Sequence, residues 1–180
     1  MAVVVVGGGG RGAGKTALVC GVIAALPERN WMAVKIAGHT HGAEQRVYEE
    51  SEPGEGKDTA RYLAAGARRA FLLTADDDEG MRAALNGLSQ LIERGDDLII
   101  ESNRALNFLT PDVCMVVRAG SDAAEEKASF GTAISVADAV VVGCSADGFR
   151  DGLLPEFELA RLERISPVLE RWIRGRLERT

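Results

Sequence analysis

Ala2 to Val6 is an unbroken, mostly β-branched run closed by four glycines, a pattern that suits a strand buried on both faces of a parallel sheet. Brief apolar runs return at Trp31 to Ile36, Arg69 to Leu73, Asp97 to Glu101, Asp112 to Arg118 and Asp138 to Val142. Helical patterns lie between several of them. One runs from Lys15 to about Leu26, and Lys57 and Asp58 open another that reaches about Ala65. Met81, Leu85, Leu88 and Ile92 recur every three or four positions, which predicts an amphipathic crossover helix from about Asp78 to Arg94. Asp76 to Asp78 would cap it and place negative charge at its positive end.

Near the end of the chain, Leu162 and Ile165 precede Ser166-Pro167, and Leu169, Trp172, Ile173 and Leu177 form a further stripe. Proline behind a serine cap predicts two helices with a break, the second laid on the sheet. The stretch from Ala37 to Gly56 reads as one long loop, kept solvated by Glu44, Glu49, Glu50, Glu52 and Glu55. Strand and helix alternate along the chain, so the expected fold is α/β, three layers around a mostly parallel sheet, with residues 1–180 as one domain.

Composition narrows the partners. Twenty-one basic against 27 acidic side chains leave a formal charge of −6, the wrong sign for gripping nucleic acid or anionic lipid. No apolar run approaches the roughly 20 residues that span a bilayer, and no charged segment precedes the first run as a secretory signal requires. A cytoplasmic protein with no nucleic-acid or membrane partner is expected. Cys20, Cys114 and Cys144 are odd in number and set in apolar surroundings, so reduced, buried thiols are expected.

Gly9-Gly10-Arg11-Gly12-Ala13-Gly14-Lys15-Thr16 fits G-x-x-x-x-G-K-[ST] and falls between the first strand and the first helix, where a phosphate-binding loop must lie. Glycines let successive amides turn inward around a phosphate, leaving no room for side chains, and the helix N-terminus adds partial positive charge beneath. Gly9, Gly10, Gly12, Ala13, Gly14, Lys15, Thr16 and Ala17 are the expected nucleotide contacts. Lys15 would meet the β- and γ-phosphates and the Thr16 hydroxyl would hold Mg²⁺. The spacing is that of a nucleoside triphosphate site, not a dinucleotide site.

An acidic partner for the metal should close another buried strand, and Glu101 ends the run Asp97-Leu-Ile-Ile-Glu101. It is either a ligand to Mg²⁺ or its water shell, or an ordinary solvated carboxylate. Asp96 and Asp97 begin that strand, on the edge away from the phosphates, and read as plain surface charge. Asp58 is a helix cap, or a group that reaches Mg²⁺ or the attacking water. Arg11 is a charge-stabilising arm or a solvated arginine. No strong general base is visible, so catalysis would rest on electrostatic positioning by Lys15, Mg²⁺ and Glu101 or Asp58.

Several residues in order resemble the P-loop class that includes the molybdopterin-guanine dinucleotide biosynthesis protein B, MobB. They are Val34-Lys35, His39-Thr40-His41, Gly56-Lys57-Asp58-Thr59 and Ala65-Gly66-Ala67, following the glycine loop. The resemblance implies GTP binding, a homodimer, and help in attaching a nucleotide to the molybdenum cofactor or delivering it to a partner enzyme. It covers roughly the first half of the chain. After the acidic strand this sequence has Glu101-Ser102-Asn103-Arg104 where that family carries Glu-Gly-Phe-Lys. Ile100-Glu101-Ser102, Asp122-Ala-Ala-Glu-Glu-Lys127 and Asp138 to Val142 look more like the nickel-insertion GTPases of urease and hydrogenase maturation.

Such folds often read guanine with Asn-Lys-x-Asp, and the equivalent stretch here is Cys144-Ser145-Ala146-Asp147. Asp147 could accept from guanine in a bidentate contact, or be a turn aspartate beside Gly148. GTP is therefore the expected nucleotide and ATP the alternative; whether Cys144 lines the base pocket stays open. His39 and His41 could contribute to a metal site with Glu44 or another subunit, contact phosphate or substrate, or be plain loop residues. Ordering of the Ala37 to Gly56 loop by the third phosphate is expected. Two rival functions remain: an ATP-dependent ligase of the dethiobiotin synthetase kind, and a non-hydrolysing module in which nucleotide only stabilises a dimer.

Overall fold

The computed structural model describes residues 1–10, 12–38, 47–118, 128–143, 154–159 and 164–179. In chain order the elements are β1 (Val3–Gly8), α1 (Lys15–Ala25), β2 (Asn30–Ala37), β3 (Val47–Glu50), α2 (Asp58–Ala64), β4 (Arg69–Thr74), α3 (Asp78–Ser89) and β5 (Asp96–Glu101). A 3₁₀ turn (Arg104–Asn107), β6 (Val113–Arg118), α4 (Ala128–Ser135), β7 (Ala139–Val142), β8 (Glu156–Glu158) and α5 (Pro167–Leu177) follow.

The strands form one eight-stranded sheet in the order β3-β4-β2-β5-β1-β6-β7-β8. Every pairing is parallel except β3 with β4. Because strand side chains alternate between faces, β1 feeds two cores. Val4 and Val6 pack with Leu18, Val22 and Ile23 of α1, Tyr62 of α2 and Leu169 and Ile173 of α5. Val5 packs on the other face with Ala84 and Leu88 of α3, and Phe130 and Ala133 of α4 cover Cys114 and Val116 there. This is the three-layer α/β fold of P-loop nucleoside triphosphatases, as the alternation of runs predicts.

β1 sits between β5 and β6, and the chain leaves it first toward β2 and later returns to β6 on the opposite side. Ligands of open α/β sheets bind at such a reversal, beyond the carboxyl ends of the strands. The ends of β1, β5 and β2 come together there.

Five expectations need correction. The segment read as a loop from Ala37 to Gly56 contains β3, antiparallel to β4 with Val47 opposite Leu73. Its acidic residues are not all solvated: Glu49 is exposed and pairs with Arg69 at 2.7 Å, but Glu50 is buried and accepts from Thr59 Oγ1 at 3.1 Å. The crossover helix stops at Ser89 rather than near Arg94, because the Leu91 amide closes a tight turn on Leu88 and Asp96 captures the Glu93 amide at 2.8 Å.

Asp96 and Asp97 are not plain surface charge. Asp96 is buried and takes two bonds from Arg68, at 2.7 and 2.9 Å. Asp97 pairs with Arg29 and accepts the Ala2 amide, each at 2.7 Å, so both pin the lower edge of the sheet. Ile165 lies in an antiparallel bridge with Leu159 rather than in a helix; residues 160–163 are outside the described residues. Ser166 does cap α5, accepting from the Leu169 amide at 3.2 Å with Pro167 at the first turn. Cys20 and Cys114 are buried thiols, and burial, with Asp138 nearby, pushes the Cys114 thiol up to about 12. Cys144 lies outside the described residues.

Candidate functional site

The loop from Gly9 to Thr16 joins the central strand β1 to α1. Gly9 donates to the Val117 carbonyl at 3.2 Å, which ties the loop's first residue to β6. Gly12 and Gly14 have φ of 80° and 101°, a region that costs side-chain-bearing residues about 1 kcal/mol or more, so these two glycines permit the turn. Gly14 stands at the N-cap of α1 with no side-chain cap and no acidic residue in the first turn. The opening amides of α1 are therefore not closed off by a capping side chain, as an anion-binding helix start requires.

The crowding expected around the loop falls elsewhere. Among the described residues a Cβ at Gly10 or Gly12 would meet no atom within 4 Å, whereas one at Gly8 would lie 2.9 Å from the Val117 carbonyl and 2.8 Å from Lys15 Cγ. Open space inside the turn and tight packing beneath it leave the cradle's floor fixed. Lys15 turns its ammonium back to the Gly10 carbonyl, which keeps its positive charge at the loop. Ala13 is buried, Ala17 packs against the core, and Arg11 lies outside the described residues.

Register brings the acidic partner to this loop. Glu101 closes β5 directly between Val6 of β1 and Lys35 of β2, so all three point toward the α1 face. Its side chain is only 1% exposed, which removes the reading of a solvated carboxylate. Thr16 Oγ1 lies 2.8 Å from Glu101 Oε2 and 3.1 Å from Asp58 Oδ1. The Tyr62 hydroxyl donates to Glu101 Oε2 at 2.5 Å. Lys35 Nζ bridges the same two carboxylates, meeting Glu101 Oε1 and lying 3.1 Å from Asp58 Oδ2.

Asp58 is not the cap of α2. That position is Lys57, without a side-chain cap bond, and the Asp58 oxygens turn to Thr16, Lys35 and, at 3.5 Å, Arg61. Burial pushes the Asp58 carboxyl up, but the bond and charge of Lys35, with Thr16 and Arg61 behind them, outweigh it and hold it below the ordinary aspartate range. Burial and then the Glu101 charge push the Tyr62 phenol strongly up, so it remains a donor.

Two carboxylates and a hydroxyl converging beside a phosphate-type loop are hard oxygen donors of the number that Mg²⁺ takes from proteins, the remainder coming from water and phosphate. The place already accommodates a cation, because the Lys35 ammonium sits between the carboxylates. The residues present therefore fit the metal.

Sequence reading missed the parts played by Lys35 and Tyr62. Lys35 counted only as a piece of a motif, and the signal that could have found its part was register: the last polar residue of β2 opposite the last acidic residue of β5. Asn103, a departure from the expected pattern, also has a place. Its amide accepts from Gly8 N at 2.7 Å and donates to Gly8 O at 3.0 Å, clamping the end of β1 where the loop begins. Ser102 Oγ accepts from the Ala105 amide and Arg104 donates to the Ala75 carbonyl. His39, His41, Glu44 and Asp147 lie outside the described residues. Among the described residues no group of three or more His, Cys, Asp or Glu side chains could hold a metal by itself, and no helix is long and apolar enough to cross a membrane.

No known family model matches the chain, and no curated protein matches it. Solved structures do. The apo form of LpxK from Aquifex aeolicus in complex with ATP superposes with a TM-score of 0.56 at 17% identity, covering 88% of this chain and 53% of that one. This chain thus spans about half the length of that protein. A MobB protein homologue from Bacillus stearothermophilus gives 0.52 at 16% identity with both chains covered in full. HypB from Helicobacter pylori in complex with nickel gives 0.54 at 16%, covering 99% of this chain and 88% of that one. These likenesses establish the fold.

Proposed function

We propose that this chain is a Mg²⁺-dependent GTP-binding protein that hydrolyses GTP slowly and assists the assembly or delivery of the molybdenum cofactor, acting as a cytoplasmic homodimer of one-domain subunits. The observation that carries the nucleotide reading is the convergence of Thr16, Asp58 and Glu101 beside the Gly9 to Thr16 turn at the head of the central strand. The cofactor link rests on the motif resemblance and is supported by the full-length likeness to the MobB homologue.

In this reading the amides from Gly9 to Ala17 cradle the phosphates, and Lys15 leaves the Gly10 carbonyl to neutralise the outer two. Thr16, with Asp58 and Glu101, holds Mg²⁺ directly or through its water; when bound, the ion neutralises charge developing on the phosphate oxygens. Tyr62 donates to Glu101 and keeps its side chain aimed. Lys15, Asp58 and Glu101 thus carry the chemistry by charge and position, without a strong general base. Asp147 reads the guanine.

The test is binding and phosphate release with GTP and with ATP, each with and without Mg²⁺. Loss of the Lys15 ammonium removes charge-assisted bonds worth about 1.5–3 kcal/mol, so Lys15→Ala should bind Mg-GTP about 10- to 150-fold more weakly. Equal, negligible binding by both proteins would end this reading. Release driven by ATP and raised by a small acid would move it to the ligase class, and binding without release to the non-hydrolysing module.

A further inference from the structure

Outside the loop, two cations beside the acidic pair have no part in the scheme above: Arg61, 3.5 Å from Asp58 Oδ1, and Lys35, which reaches both carboxylates. Lys35 lies in the register position opposite Glu101, and its ammonium touches one oxygen of Glu101 and one of Asp58. The other oxygen of each carboxylate is turned to Thr16. Tyr62 also donates to Glu101 Oε2 and Arg61 stands 3.5 Å from Asp58 Oδ1, so Lys35 alone of these groups spans the two carboxylates on their β2 side. In the sheet Lys35 stands between the buried Glu101 and the half-buried Leu72, and its side chain is 22% exposed.

We infer that Lys35 is a built-in counter-ion which occupies the acidic pair and makes divalent-ion binding depend on nucleotide. A free divalent ion must compete with an ammonium already in contact with both carboxylates, and two cations held this close repel each other. A triphosphate changes the balance, because its negative oxygens give both cations further partners. Lys35 is a positioning residue in this scheme: it holds the side chains of Glu101 and Asp58 in place for the metal, and it moves toward phosphate oxygen as the metal enters. The inference rests on the proposed reading of Thr16, Asp58 and Glu101 as the metal's holders.

The experiment titrates the whole protein with Mn²⁺ alone and follows the free ion by electron paramagnetic resonance. Lys35→Met should bind Mn²⁺ without nucleotide at least about tenfold more tightly than the unmodified protein, and Lys35→Arg, which keeps the charge, should not. Lys35→Gln keeps a hydrogen-bonding group and carries the same expectation should the methionine variant fail to fold. Adding Asp58→Asn to either neutral variant should abolish the gain.

No tightening in either neutral variant, or tightening that survives Asp58→Asn, overturns the inference. The nucleotide arm separates this failure from the larger one. If the unmodified protein binds GTP with Mn²⁺ while the neutral variants show no gain with Mn²⁺ alone, the counter-ion role falls and the nucleotide reading stands. If GTP is not bound with or without Mn²⁺, both fall.

Discussion

The Thr16 hydroxyl lies 2.8 Å from Glu101 Oε2, joining the first turn of α1 to the last residue of β5 across 85 positions of sequence. A phosphate-type loop and its acidic partner are thereby fixed to each other before any ligand is considered. The same hydroxyl also faces Asp58 at 3.1 Å, so one short side chain links three elements: α1, β5 and α2.

Replacing it tests that link. Thr16→Ala should lower affinity for Mg-GTP by at least about tenfold, corresponding to roughly 1.4 kcal/mol, while affinity for GTP in chelator should change little. Thr16→Ser should restore the metal-dependent part, because it returns the hydroxyl. Calorimetric titration with and without Mg²⁺ checks this, and an equal loss in both conditions would show that Thr16 serves the loop's shape instead.

Beside Thr16 and Lys35, Tyr62 supplies a third donor to the buried Glu101. Removing a hydrogen bond to a charged, buried group costs about 1.5–3 kcal/mol. For a chain of this length that corresponds to a fall in melting temperature of about 3–12 °C for Tyr62→Phe. The ring keeps its place in the core between α1 and the sheet, so the loss reports the hydroxyl. A melting temperature within one degree of the unmodified protein would mean that Thr16 and Lys35 satisfy Glu101 unaided.

Six of the eight strands and the glycine loop were legible because both are local signals: β-branched runs such as Val3 to Val6, and a glycine string between strand and helix; β3 and β8 were not read. The assembly around Glu101 was legible only in part. Thr16, Asp58 and Glu101 could each be singled out by position, but Lys35 and Tyr62 join them through strand register and helix packing, which no short window records. β3 escaped for another reason. It is four residues long, ends in two glutamates and lies at the sheet edge, where pairing with β4 rather than an apolar run defines it. Asp96 and Asp97 looked like surface charge because their partners Arg68, Arg29 and the Ala2 amide are remote in sequence.

Asn103 holds both backbone polar groups of Gly8, and a Cβ at Gly7 would lie 2.6 Å from its Oδ1. Asn103→Leu would leave an amide and a carbonyl without their partner at the base of the loop, a cost of about 1–3 kcal/mol. The expected outcome is a lower urea midpoint together with weaker binding of GTP, whether or not Mg²⁺ is present, since the loop's floor is disturbed rather than the metal's holders. Binding loss confined to the Mg²⁺ condition would contradict the clamp.

Glu50 gives the molecule an acid-sensitive tie between β3 and α2. Burial pushes its carboxyl up, but the Thr59 hydroxyl, the Lys57 charge and the amides of Ser51 and Glu52 outweigh that and hold it below the ordinary glutamate value. A carboxyl depressed in the folded state contributes stability that is fully present above its unfolded value, about 4.3, and that drains away as pH falls through the folded value. Acidification from pH 7 toward pH 3 should therefore weaken the unmodified protein more steeply than Glu50→Gln, although the variant starts lower at pH 7. Urea midpoints collected across that range check the sign. The two curves should converge on the acid side, where the native carboxyl is protonated and the glutamine is its nearest neutral equivalent; parallel curves would mean that Thr59 and Lys57 do not distinguish the ionised form.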